Sequence, residues 1–277
     1  MRTIKVAAAV ISCFLLRAGQ SETLLPPNVI HERFARLASA NEDRAAEIRK
    51  LFLEAGCDTT HFSETKLRSS SLPNIACVVP GLSRQTVVVT AHYDRHKGAG
   101  DGAIDNWSGA SLLPSLLETH KRSSRRLTFE FVAFTDEERG LIGSREYVLA
   151  LTKEQRRNVL LNVNIDCIGL KGPIRIAAER ADSLLMQFSA IVGDATKVRV
   201  GADILGKKFD SDASSFASWK IPVIDFHSLT RETLPLLHSK RDVRTALDLE
   251  SSYEHYRFLA NYLEYLDSNV DKPARTK

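Results

Sequence analysis

The chain has 277 residues, of which 43% are hydrophobic and 26% charged, a balance that supports a sizeable core and excludes wholesale disorder. The formal net charge is +4. Arg2, Lys5 and Arg17 carry three of those charges in an N-terminal stretch without acids, which leaves the rest of the chain near neutral at +1 and gives no electrostatic case for nucleic acid as a partner.

Arg2 and Lys5 precede an apolar run over 6–16, and Ala18 and Gly19 follow it. A basic head, an apolar stretch too short to span a bilayer and small residues after it form a signal-peptide pattern over 1–19. Phe14, Leu15 and Leu16 continue the run past Cys13, which argues against lipoprotein cleavage there. The expectation is a secreted or periplasmic protein, free of the membrane after cleavage, with residues 20–277 as a single domain. Its cysteines are then Cys57, Cys77 and Cys167. Three do not make a disulfide framework. Cys57 and Cys77 are candidates for one bridge, and Cys167 reads as a small buried side chain.

Pro26 and Pro27 mark residues 22–27 as a linker. From 28 to 56 apolar residues recur at helical spacing, with Ala46, Ile48, Leu51 and Phe52 on one face and Gly56 as a stop. Short β-branched runs at 75–79 and 86–90, parted by Pro80 and Gly81, predict two strands. Helix is expected over 108–117, strand over 126–134, helix over 140–151, strands over 159–165 and 174–178, helix over 183–192, strand over 222–226, and an amphipathic helix over 250–266. Lys121, Arg122, Arg125 and Arg126 read as a solvated turn before the 126–134 strand. This alternation predicts an α/β three-layer sandwich, a mixed but mostly parallel sheet with helices on both faces. In such sheets the chemistry gathers where strands end at their carboxyl side.

Metal-ligand residue types stand at those places. His92 and Asp94 follow the 86–90 strand, and Asp105 lies in the Gly-rich stretch beyond. Asp136, Glu137 and Glu138 follow Phe134, Asp166 follows the next strand, and His238 comes after the last. Hydrolysing a peptide bond at neutral pH needs an activated water, and a pair of metal ions can supply one when imidazole and carboxylate ligands hold them with one bridging carboxylate. A further carboxylate must take the proton.

AHYD (91–94), DNWSG (105–109), DEERGLIGS (136–144), NIDCIG (164–169) and LLHS (236–239), in that order, resemble the zinc exopeptidase family of bacterial leucyl aminopeptidases, glutamate carboxypeptidase and glutaminyl cyclase. The resemblance runs from about residue 75 to the C-terminus. It implies two zinc ions. His92 and Asp166 would bind one, Glu138 and His238 the other, and Asp105 would bridge them. Asp94 would orient the His92 ring, and Glu137 would be the general base and acid. Asp212 matches a position near the substrate pocket, although a helix cap accounts for it as well. Asp105 could also cap the helix near Trp107. His96, His120 and His227 read as structural histidines. Trp107 stands where relatives more often carry a smaller residue and is expected to fill or narrow part of the pocket rim. Arg139 either perturbs Glu138 or points to solvent. The implied function is a metalloaminopeptidase acting on peptides. A one-zinc glutaminyl cyclase, a carboxypeptidase and a non-catalytic receptor-like protein are the alternatives.

Overall fold

The computed structural model describes residues 24–98, 100–203 and 210–270; the expected signal peptide lies outside the described residues. In chain order the elements are α1 (Pro27–Ala35), α2 (Asn41–Glu54), β1 (Phe62–Thr65), β2 (Asn74–Val79), β3 (Thr86–His92), α3 (Ser108–Ala110), α4 (Leu112–His120), β4 (Thr128–Phe134), α5 (Ile142–Ala150), α6 (Lys153–Asn158), β5 (Val159–Ile165), β6 (Ile174–Ala177), α7 (Ser183–Thr196), β7 (Val200–Asp203), α8 (Ala213–Ser218), β8 (Val223–His227) and α9 (Leu249–Asn269). No helix among the described residues is long and apolar enough to cross a membrane.

The eight strands form one sheet in the order β1-β2-β4-β3-β5-β8-β6-β7. The central run β4-β3-β5-β8 is parallel, while β1/β2, β2/β4 and β6/β8 pair antiparallel. Alternation along the strands sorts side chains to two faces. Ile75, Cys77, Val87, Val89, Phe129 and Phe131 pack with α1, α2, α4, α7 and α9 in the larger core. Ala76, Val88, Val132 and Phe134 face the smaller core, closed by Val148 of α5 and by Ala213 and Phe216 of α8. This is the expected three-layer sandwich.

Local expectations fail where tertiary contacts override them. Pro27 opens α1 rather than lying in a linker, as its fixed φ suits the first helical position and its missing N–H would have no partner there. The helical stretch 28–56 is broken over 36–40 into α1 and α2. On α2, Ile48, Leu51 and Phe52 are buried as expected, but Ala45 and not Ala46 joins that face. Strands β1 and β7 and helices α6 and α8 were not foreseen. They are four to six residues long, and so short a segment shows little periodicity. The Cys57–Cys77 bridge is formed, tying the end of α2 to β2. Among the described residues Cys167 is the free thiol, and it is buried.

Candidate metal centre

β3 ends at His92, β4 at Phe134 and β5 at Ile165, and these parallel neighbours deliver His92, Glu137 with Glu138, and Asp166 to one edge of the sheet. Two loops complete the set. One runs from β3 through Asp105 to α3, and the other carries His238 between β8 and α9.

The side chains fall into two groups. His92, Asp105 and Asp166 each offer a ligand atom within 4.8 Å of the others, and so do His96, Glu138 and His238. Asp105 joins them: its Oδ1 lies 3.2 Å from His92 Nε2 and its Oδ2 lies 3.2 Å from His238 Nε2. His92 Nε2 also has Asp166 Oδ1 at 3.5 Å and Glu137 Oε2 at 4.0 Å. His238 Nε2 has Glu138 Oε2 at 2.9 Å. His92 is buried, whereas the His238 side chain is 51% exposed, so the first group lies deep and the second at the mouth.

Hydrogen bonds from outside the two groups fix this arrangement. The His92 Nδ1 side faces Asp94, 3.1 Å from its backbone oxygen and 3.5 Å from Oδ1. The Asp94 carboxylate accepts the N–H groups of Glu137 and Glu138 at 3.1 and 3.3 Å, so one buried residue holds the ring through its backbone oxygen and, through its carboxylate, the turn that presents the two glutamates. Asn106 Oδ1 accepts from Gly109 N–H and Cys167 N–H, and its Nδ2 donates to Ile165 O. Ser108 Oγ accepts from Ile168 N–H. The loops of Asp105 and Asp166 are thereby stitched together. The cap on the helix beginning near Trp107 is therefore Asn106, not Asp105, whose oxygens face the histidines. The Asp105–Asn106 peptide bond is cis.

Asp242 was missed in the sequence. It is buried, and its Oδ1 and Oδ2 accept the N–H groups of Ile104 at 2.7 Å and Asp105 at 3.2 Å. Its own carbonyl accepts from Asp101 and Gly102, and the Ser239 carbonyl accepts from Gly100. The loop that bears Asp105 is thus zipped to the loop that bears His238. A carboxylate four residues after a candidate ligand was the only signal available. Asp136, Cys167 and His238 hold positive φ of 53°, 59° and 54°. Such left-handed backbone in non-glycine residues persists where surrounding contacts over-determine it.

The electrostatics are those of crowded acids. Burial opposes charge on His92, but the charges of Glu137 and Asp166 and the Asp105 and Asp166 oxygens close to Nε2 raise its pKa well above the usual value. His238 is pushed up to about 10 by its bonds to Asp105 and Glu138. Burial raises Asp105, yet the two histidines overcome this and hold it below the usual carboxylate range. Burial raises Glu137 and Glu138, and neighbouring carboxylates add to the rise. The imidazoles thus hold protons against the acids, which bound cations could replace. His92 Nε2 and Glu138 Oε1 are buried without a hydrogen bond, so the donors fit a metal.

The remaining residues sort differently. Asp212 sits at the start of α8 without capping it, and burial pushes its carboxyl up to about 7. His120 is a structural residue, bonded to Leu116 O and packed beside Phe129. His227, at the end of β8, is buried and accepts from Leu229 N–H. His96, also read as structural, falls in the outer group. Trp107 does not narrow a rim: it is fully buried, with its indole N–H donating to Arg33 O. Arg139 pairs with Asp136 at 2.9 Å.

A mostly parallel sheet covered on both faces, with imidazole and carboxylate pairs at its carboxyl edge, is a fold of the zinc-exopeptidase class. The aminopeptidase LapA of Legionella pneumophila superposes with a TM-score of 0.79 at 20% identity, covering 97% of this chain and 79% of that one. The zinc aminopeptidase BSAP of Bacillus subtilis gives 0.64 at 22% identity, over 74% of this chain and 52% of that one. Residues 74–263 match Peptidase family M28, and the chain belongs to that family. A probable leucine aminopeptidase of Arthroderma otae is 27% identical over 202 residues, which is 69% of this chain and 56% of the relative; the chain spans about half the length of the curated relatives it matches.

Proposed function

We propose that this chain is a zinc-dependent aminopeptidase whose centre holds two ions and removes N-terminal residues from peptides. The observation that carries the reading is Asp105, whose two oxygens face two different histidines at equal distance, as a bridging carboxylate requires. His92 and Asp166 would hold the inner ion, and Glu138 and His238 the outer. Mixed imidazole and carboxylate donors suit zinc, which when bound polarises a carbonyl and lowers the pKa of a water to about 7. Family membership and the zinc aminopeptidase fold of BSAP support the metal.

Glu137 stands beside this set at 4.0 Å from His92 Nε2, half-buried and outside both three-residue groups. It takes the proton of the attacking water on its carboxylate and returns it to the departing amine nitrogen. Asp94 positions rather than reacts, because both its oxygens are engaged by the Glu137 and Glu138 amides. The carboxylates around the centre attract the free ammonium of a peptide N-terminus. The Cys57–Cys77 bridge supports an oxidising compartment, in keeping with a secreted or periplasmic protein.

The test is mass spectrometry of a defined peptide mixture with and without a zinc chelator. Chelator-sensitive loss of single N-terminal residues is expected. C-terminal trimming would instead mean a carboxypeptidase, ammonia loss from N-terminal Gln a cyclase, and unchanged peptides with bound metal a receptor-like role. Glu137→Ala should keep both ions and lose roughly 100- to 10,000-fold in turnover; near-normal turnover would refute its role. Asp105→Ala should lose metal, and full metal content would refute the bridge.

A further inference from the structure

His96 belongs to none of the five motifs, yet its ring lies on His238. The two centroids are 4.2 Å apart and the planes differ by 13°. His96 Nδ1 is buried with no hydrogen-bond partner among the described residues. His238 is the most exposed of the five proposed ligands, and it extends from a left-handed backbone position in a loop. A half-exposed side chain on a loop has rotamer freedom to lose when it binds an ion, and here a flat wall limits that freedom on one face.

The wall is itself anchored. The backbone N–H of Arg95, next to His96, donates to Asn41 Oδ1, and Arg95 Nε donates to Ser39 O. Beyond His96, Gly100 N–H donates to Ser239 O at 2.8 Å, so the loops carrying the two rings are joined by backbone as well as by the stack.

The geometry points to His96 as a positioning residue that holds His238 in its ligating orientation at the outer ion, a role that rests on the two-ion reading above. An imidazole lone pair lies in the plane of its ring. With the planes nearly parallel, an ion in the plane of His238 lies off the plane of His96, which therefore acts through His238 and not as a further ligand. Residues that orient a metal ligand typically contribute 10- to 100-fold to metal affinity.

The test uses the full chain and zinc alone, with stepwise affinities read by competition against a chromophoric chelator. His238→Ala first identifies the step that belongs to the outer site. His96→Ala should then weaken that step by roughly 10- to 100-fold and leave the inner step within about threefold. His96→Phe keeps a flat ring without nitrogen and should stay within about threefold of the parent at both steps. The melting temperature of each metal-free variant shows whether the fold survives. Unchanged outer affinity in His96→Ala, or an equal loss at both steps, would overturn the proposal. So would a His96→Phe protein as weak as His96→Ala, because the nitrogen would then be what matters. A parent chain that binds no zinc would remove the metal reading itself, which separates that failure from a failure of His96.

Discussion

Replacing Asp242 with asparagine exchanges one carboxylate oxygen for an NH2 group. The remaining carbonyl can still accept from Ile104 N–H, now at 2.7 Å. The new amide then faces Asp105 N–H, whose present acceptor is 3.2 Å away, and one buried charge-assisted bond is lost at a cost of about 1.5–3 kcal/mol. An opposing effect comes from the charge. Burial first, and then the charge of Asp105, push Asp242 up to about 6 against the pull of the Ile104 and Asp105 amides. A displacement of that size makes the ionised group cost the metal-free fold about 3 kcal/mol at neutral pH, and asparagine removes this cost. That cost is already net of the bonds from the two amides, so the metal-free variant should melt several degrees above the parent. Cations beside Asp105 favour the ionised carboxylate, so in the loaded protein the lost bond is no longer offset. Zinc affinity should therefore fall by roughly 10- to 100-fold. Thermal melting with and without zinc, together with chelator competition, measures both quantities. Parental zinc affinity, or a collapse of the metal-free protein, would refute the reasoning.

Two further outcomes concern the body of the fold. Opening the Cys57–Cys77 bridge, which spans 20 residues, with paired serines should cost about 3 kcal/mol by loop entropy and lower the melting temperature by roughly 6–12 °C; an unchanged melt would show that the bridge adds nothing. His120 and His255 are held neutral, chiefly by burial, at pKa values of about 3 and 4. Above the usual histidine value neither the folded nor the unfolded state takes the proton, and this part of the stability is complete. Below it the unfolded chain takes the proton first, so stability falls with pH until the folded values are reached. Each residue should cost roughly 2 kcal/mol between pH 6.5 and 5. Urea midpoints for the parent and for His120→Gln should converge as pH drops; parallel curves would rule out the assignment.

The alternation of strands and helices could be read from the sequence because each long element carries its own period, as in Thr128–Phe134 and Leu249–Asn269. Strand ends with His92, Glu137, Glu138 and Asp166 just beyond them were legible for the same reason: a run of apolar residues that stops at a polar one marks the edge of a sheet. His238 and Asp105 lie in loops without a period, and only the order of five short motifs suggested them.

Other features are set by contacts between segments far apart in the chain. That Asp105 has an oxygen for each histidine depends on His92 and His238, 146 residues apart in the numbering, meeting across it. That Asn106 and not Asp105 caps the following helix depends on Cys167 and Ile165 being within its reach. Asp242 is recognisable only from the amides of Ile104 and Asp105, and His96 only from the ring it covers. Trp107 turned inward because the space beneath it is bounded by Arg33 and Arg44 from the first two helices. The sequence by itself determined which residue types stand at the strand ends, since hydrophobic period and chain order are local. Tertiary structure alone decided which oxygen faces which nitrogen, since those distances arise only when the loops are packed together.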